Sequence, residues 1–136
     1  MFYLGTSEQK IDARGRMNVP ARFQDDLGER FVIFKSPDGC LCLYDNVEFE
    51  KLAAQAKQED TTNYAARSQQ RKFVLRAMNV EPDVQKRMTI DEKFREYAGI
   101  SNKVVVFGNI DHVELWSPER FEAMQNEDTD MPPINF

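Results

Sequence analysis

Two continuous apolar runs of strand length mark the chain, Phe31-Val32-Ile33-Phe34 and Val104-Val105-Val106-Phe107. Their β-branched and aromatic content predicts strands rather than helical segments. After the first, Ser36-Pro37-Asp38-Gly39 is a turn signal, because proline presets one φ and glycine accepts a positive one. Cys40 to Tyr44 then returns, so 31–44 reads as a hairpin. After the second run, Gly108-Asn109-Ile110-Asp111 turns into Val113-Glu114-Leu115-Trp116. Ahead of the first hairpin, Ser7-Glu8-Gln9-Lys10 alternates into Ile11 as a first strand. A polar turn, Asp12 to Gly15, leads into a second short strand, Arg16 to Val19. A helix of one to two turns follows, with Pro20 at its first position and Gly28 closing it.

The period then changes to that of a helix. Asp45 and Glu48 have capping-box spacing, and Phe49, Leu52, Ala53 and Ala56 share one face. Gln58 to Thr62 is a polar break. A second helix is expected from Asn63 to Met78, with Ala66, Gln70, Phe73, Val74 and Ala77 on one arc. Arg67, Arg71, Lys72 and Arg76 occupy the rest, the ordinary composition of a solvated face. A final helix opens at Ser117-Pro118-Glu119, with serine as N-cap and proline at the first position.

The pattern repeats. Setting Asp12 against Asp83 pairs Arg16 with Arg87, Met17 with Met88, Phe23 with Phe94 and Gly28 with Gly99. Chance would give roughly one identity over such a stretch. Val19/Ile90 and Arg22/Lys93 are conservative, and the two hairpins continue the match. Each half alone carries too little apolar surface for a good core. The copies should therefore interleave strands into one barrel-like α+β body, mainly β with peripheral helices. The expected division is 1–60 for the first repeat and its helix, 61–80 for a connecting helix, 81–124 for the second repeat and 125–136 for a flexible tail.

A length of 136 residues and 41% hydrophobic content fit one folded domain or two small halves with a shared core. No apolar run approaches the roughly 18–20 residues of a membrane span, and Met1 to Thr6 lacks the character of a secretory signal. Cys40 and Cys42 would share one face of a strand, as two small buried thiols of a reducing cytoplasm. With no second cysteine pair and a single histidine, His112, metal binding is not expected. The net charge of −5 argues against a nucleic-acid binder. Its distribution argues the other way. Lys10, Arg14, Arg16 and Arg22 face a single acid, Asp12, over 10–22, while Glu127, Asp128 and Asp130 crowd the tail. Local charge governs within a Debye length of roughly 8 Å.

No catalytic constellation is present: no serine has a nucleophile-elbow context, and no glycine loop is of the phosphate-cradling kind. The chain reads as a non-enzyme without cofactor. The duplicated D-x-x-x-R turns are its specific feature. An Asp–Arg pair can simply fix a turn, as a surface ion pair worth about 0–1 kcal/mol. That accounts for Asp12 and Asp83, but not for Arg14 beside Gly15 or Lys86 beside Arg87. An exposed turn with two cations suits phosphate oxygens, and a guanidinium also reads guanine O6/N7 bidentately.

The block D-A-R-G-R-M-N-V-P-A-R-F followed by L-G resembles the D-x-K-G-R-x-x-x-P signature of the MraZ family of bacterial transcription regulators. R-E-Y-A-G-I-S-N-K-V-V-V-F-G and V-E-L-W-S-P-E-R-F resemble that family's second half, so the likeness spans about residues 1–124. It implies an AbrB-like swapped-hairpin fold, ring assembly, and binding to direct repeats of double-stranded DNA upstream of the division and cell-wall operon, usually as repressor. It also implies a cytoplasmic, nucleoid-associated protein, and places DNA contact on the arginine that ends the first motif, here Arg16. Arg14 stands for the usual lysine and keeps its charge. Lys86 stands for the usual glycine of the second motif and Asp91 for its proline, which predicts a second turn of altered shape. The expected DNA contacts are Arg14 and Arg16, supported by Lys10, Arg22, Arg87 and Lys86, with Asp12, Gly15 and Asp83 shaping the turns. The competing reading is an oligomeric interaction module without DNA binding.

Overall fold

The computed structural model describes residues 2–136. Its first half runs β1 (Tyr3–Lys10), β2 (Arg16–Asn18), α1 (Ala21–Leu27), β3 (Phe31–Lys35), β4 (Leu41–Tyr44) and α2 (Asn46–Ala56). After α3 (Tyr64–Val74), the second half repeats the order with β5 (Ala77–Val80), β6 (Arg87–Thr89), α4 (Glu92–Ala98), β7 (Lys103–Ile110), β8 (His112–Trp116) and α5 (Pro118–Gln125). The fold is α+β, built from two copies of one unit.

The copies interleave. A six-stranded antiparallel sheet has the order β1-β7-β8-β4-β3-β5, so β1 of the first copy pairs with β7 of the second, and β5 pairs back onto β3. The remaining strands, β2 and β6, form a separate two-stranded ribbon in which Met17 sits opposite Met88. The main core lies between the large sheet and the ribbon with its two short helices. Phe31, Ile33, Leu41, Leu43, Val104, Val106, Val113 and Leu115 point inward and meet Met17, Met88, Phe23 and Phe94.

Residues that alternate with these point to the opposite face, where Phe34, Cys40, Cys42, Val105, Trp116 and Phe121 form a second cluster. Helices α2 and α3 close over it through Phe49 and Phe73, whose rings stack 6.0 Å apart. A sheet covered on both faces has no polar side to show, which is why Phe31–Phe34 and Val104–Phe107 are continuously apolar.

Three boundaries differ from the sequence reading. Helix α3 stops at Val74 rather than running to Met78, because Ala77–Val80 finds a full set of ladder partners in Phe31–Phe34. Pro20 is the N-cap of α1, one position earlier than expected, with ψ at 135°. Gly108 lies within β7 and not in a turn. A Cβ there would come 2.6 Å from the Leu4 nitrogen, so glycine is what lets β1 approach. The hairpin tip falls instead at Ile110 and Asp111. Residues 126–136 are exposed and carry no helix or strand.

Candidate nucleic-acid interface

Each turn is organised by its aspartate. Asp12 Oδ1 accepts the backbone N–H groups of Arg14 and Arg16, both at 2.9 Å, and Oδ2 accepts the Arg16 Nε–H at 2.8 Å. The main chain closes the loop twice, Asp12 N–H to the Arg16 carbonyl and Gly15 N–H to the Asp12 carbonyl, both at 3.0 Å. The backbone N–H of Arg16, and then its side chain, hold the Asp12 carboxyl below the usual carboxylate range.

The second turn repeats this arrangement. Asp83 Oδ1 accepts from the N–H groups of Gln85 and Arg87 at 2.9 and 3.0 Å, and Oδ2 accepts the Arg87 Nε–H at 3.0 Å. Its carboxyl is lowered for the same reasons, led by the Arg87 backbone N–H. Lys86 takes the left-handed conformation of Gly15, with φ of 62° against 80°. The altered shape expected from Lys86 is therefore not found. Five hydrogen bonds around Asp83 hold the lysine in a region that costs an L-residue about 1–2 kcal/mol. Asp91 in place of proline caps α4 by accepting the Lys93 N–H.

A guanidinium offers five N–H donors. In Arg16 and Arg87 the Nε–H is bound to the turn, and the two Nη groups make no hydrogen bond among the described residues. The aspartate thus fixes the fork and presents its outer edge, the geometry that grips a phosphate or a guanine edge with two parallel bonds. Both arginines are half-buried, while Arg14 and Lys86 are exposed beside them.

The turns sit at opposite ends of the β2–β6 ribbon. Arg16 is level with Thr89 and Arg87 with Asn18, so they lie two residues apart along it, roughly 7 Å at strand rise. Each turn also leans on the other repeat. Ile90 N–H donates to the Gly15 carbonyl at 2.8 Å, and Val19 N–H donates to the Lys86 carbonyl at 3.0 Å.

The supporting cations separate. Lys10 ends β1 opposite Lys103 of β7, two residues before Asp12, so it joins the first turn. Arg22 does not. It lies on α1, its guanidinium over the Phe23 ring at 4.5 Å and its Nη2 donating to Ser7 Oγ at 3.1 Å. Ser7 is five residues back from Asp12 along an extended chain, roughly 16 Å. A cation that the sequence reading missed takes its place. Arg95 of α4 bonds through Nε to the Ile90 carbonyl at 3.0 Å, and its guanidinium reaches within 3.0 Å of where a Gly15 Cβ would stand. Its counterpart, Gln24, bonds the Val19 carbonyl at 2.8 Å and is neutral. The repeat alignment held the signal, since it places Gln24 against Arg95.

The basic residues expected on the second helix are partly accounted for, although Arg76 lies just past the end of α3. Arg76 donates to the Lys35 carbonyl and the Tyr97 hydroxyl, and Arg67 to the Thr61 carbonyl. Both act within the fold.

Comparison with known proteins places this architecture. The family model described as "MraZ protein" matches residues 2–72 and again 73–135, one match per repeat. A transcriptional regulator MraZ of Lachnoclostridium phytofermentans is 38% identical over 129 residues, covering 95% of this chain and 91% of that protein. One from Mycobacterium sp. (strain KMS) is 37% identical over 124 residues, 91% of this chain and 87% of that protein. The corresponding regulator of Saccharopolyspora erythraea is 34% identical over 126 residues, with 93% and 88% covered. With both repeats matched and nearly the whole length aligned, the chain belongs to the MraZ family.

Proposed function

We propose that this chain is a transcriptional regulator that binds double-stranded promoter DNA through its D-x-x-x-R turns. The relatives named as transcriptional regulators support the regulatory reading. The observation that carries the DNA contact is the pair of arginine forks, each pinned by its own aspartate with the Nη edge turned outward. Arg16 and Arg14 are the primary contacts, with Lys10 beside them. Arg87 and Lys86 form an equivalent but less basic second contact. The protein is a cytoplasmic, nucleoid-associated repressor of the division and cell-wall operon that encodes it, and it is not an enzyme.

A single turn offers few phosphate contacts, and the net charge of −5 opposes binding elsewhere on the surface. A ring of several copies answers both points. Identical turns on one rim, engaging spaced direct repeats, raise avidity by about 10² or more without any new contact. Exposed Val74, Leu75 and Met78, around the edge strand β5, support self-association. They equally suit the second reading, an oligomeric module without DNA binding.

Gel shift on the chain's own upstream region separates the two. Arg16→Ala should weaken binding roughly tenfold to a hundredfold for each engaged turn, the loss of one bidentate contact. The salt slope should fall by about 0.9 for every phosphate contact removed. A single repeat should bind far more weakly than three. Equal binding by wild type and Arg16→Ala would overturn the arginine assignment, and no binding at any salt would favour the module.

A further inference from the structure

On the covered outer face of the large sheet lies a group of side chains that the DNA reading does not use. Cys40 and Cys42 alternate with the inward Leu41 and Leu43, so both sulphurs face the second cluster. Strand β8 runs alongside, and its Glu114 is the ladder partner of Cys42. Two thiols, Cys42 on β4 and Cys40 just ahead of it, and a carboxylate on the next strand thus converge, with one ligand atom of each within 4.8 Å of the others. Tetrahedral zinc, with bonds of about 2.3 Å to sulphur and 2.0–2.2 Å to oxygen, needs separations of about 3.5–3.8 Å. The bound of 4.8 Å exceeds that edge by about 1 Å, so the three ligand atoms draw together on binding.

The carboxylate is held for such a role. Its neighbours on this face are mainly apolar, and a charge there is costly unless it is partnered. Asn109 Nδ2 donates to Glu114 Oε2 at 3.0 Å, and His112 Nε2 meets the same oxygen at 2.8 Å. Trp116 Nε1 donates to Oε1 at 2.9 Å. A carboxylate has about four lone-pair sites. Oε2 is used twice and Oε1 once, which leaves one lone pair on Oε1 for a further partner. These three groups orient the carboxylate as outer-shell residues orient the ligands of known metal sites.

We infer that Cys40, Cys42 and Glu114 form a binding site for a thiophilic d¹⁰ cation, Zn²⁺ in the first instance. Both thiols ionise on binding and their two protons pass to solvent, so the ion is held by two thiolates and one carboxylate. The fourth position falls to water, which enters by the cleft lined by Phe107, Glu114, Trp116 and Arg120. Hard cations such as Mg²⁺ are disfavoured, because thiolates select softer metals. The ion would join β4 of the first repeat to β8 of the second at the middle of the sheet. Its expected effect is on the stability of the interleaved body, with the turns left free.

The test uses Co²⁺ as a spectroscopic stand-in for Zn²⁺ on the full, reduced chain. One Co²⁺ per chain should bind, with sulphur-to-cobalt charge-transfer absorption and tetrahedral d–d bands. Zn²⁺ should bleach both and raise the midpoint of unfolding. Cys42→Ser should lose the charge-transfer band or most of it. Glu114→Gln, which keeps both thiols, should bind at least tenfold more weakly. A reduced wild-type protein without the charge-transfer band overturns the site whatever the variants do, so a Cys42→Ser chain that fails to fold leaves the test intact. Unchanged spectrum and affinity in Glu114→Gln would remove the carboxylate from the ligand set and overturn the site as described.

Discussion

Gly15 and Lys86 occupy the same place in the two turns and share the left-handed conformation, yet substitution there should have opposite consequences. Gly15→Ala places a Cβ at φ of 80°, 2.9 Å from the Ile90 carbonyl oxygen and 3.0 Å from the Arg95 guanidinium. The backbone conformation costs about 1–2 kcal/mol and the overlap with fixed backbone about 1–3 kcal/mol. The stiffer unfolded chain returns only about 0.4–1 kcal/mol. The net loss is about 1–4.5 kcal/mol, a fall of roughly 0.5–2 M in urea midpoint for a chain of this size. Lys86→Gly removes the left-handed penalty of about 1–2 kcal/mol and loosens the unfolded chain by about 0.4–1 kcal/mol, so stability should hold or rise slightly. Trp116 is the single tryptophan and lies in the second cluster, so its fluorescence reports unfolding. Both variants must be compared at one protomer concentration, since assembly adds to apparent stability. Amide exchange gives a local check: the Ile90 N–H, bonded to the Gly15 carbonyl, should exchange faster in Gly15→Ala. A Gly15→Ala chain with unchanged midpoint and unchanged Ile90 protection would refute the account of the turn.

Leu115→Ala, at a fully buried position of the main core, should cost about 2–5 kcal/mol by urea denaturation. Arg95→Gln should weaken DNA binding and lower its salt slope while Gln24→Ala leaves the slope unchanged, because only Arg95 adds charge beside its turn. The Asp12 and Asp83 carboxyls, both lowered chiefly by backbone N–H bonds, should titrate in NMR below the usual value near 4. Their folded pKa lies under the unfolded one. The order they give the turns is therefore complete above about pH 5 and lost as pH falls through the lower folded value. Asp45→Ala should destabilise by about 1–2 kcal/mol in thermal unfolding, since Asp45 caps α2 through the Glu48 N–H.

The elements with local chemistry were legible in the sequence. Ser36 to Gly39 announces its turn, and Asp45 and Ser117 each cap the helix that follows. The second repeat could be found because Asp83, Arg87 and Gly99 keep their spacing. What was not legible depends on partners distant in the chain. Val74 and Ala77 continue a helical arc, and only the ladder to Phe31–Phe34 makes Ala77–Val80 a strand. Lys86 reads as a loss of glycine, yet the Asp83 bonds impose the glycine conformation. Arg95 reaches the first turn only because the repeats exchange contacts across the ribbon. Glu114 reads as one polar residue of a strand, and its meeting with Cys42 is a matter of register.

The pairing of Tyr3 with Ile110 has a consequence during synthesis. A nascent chain emerging from the ribosome at about 5–20 residues per second carries β1 for roughly 5–20 s before its ladder partner β7 exists. Until residues 88–94 are made, the buried side chains Met17 and Phe23 lack the Met88 and Phe94 that they meet in the core. The first half leaves the ribosome with an unfinished apolar surface, interrupted by a polar turn that carries Arg14 and Arg16, with Lys10 just ahead of it. The arginines proposed to meet DNA in the finished protein thus lie, in the half-made one, between apolar residues that have not yet found their partners.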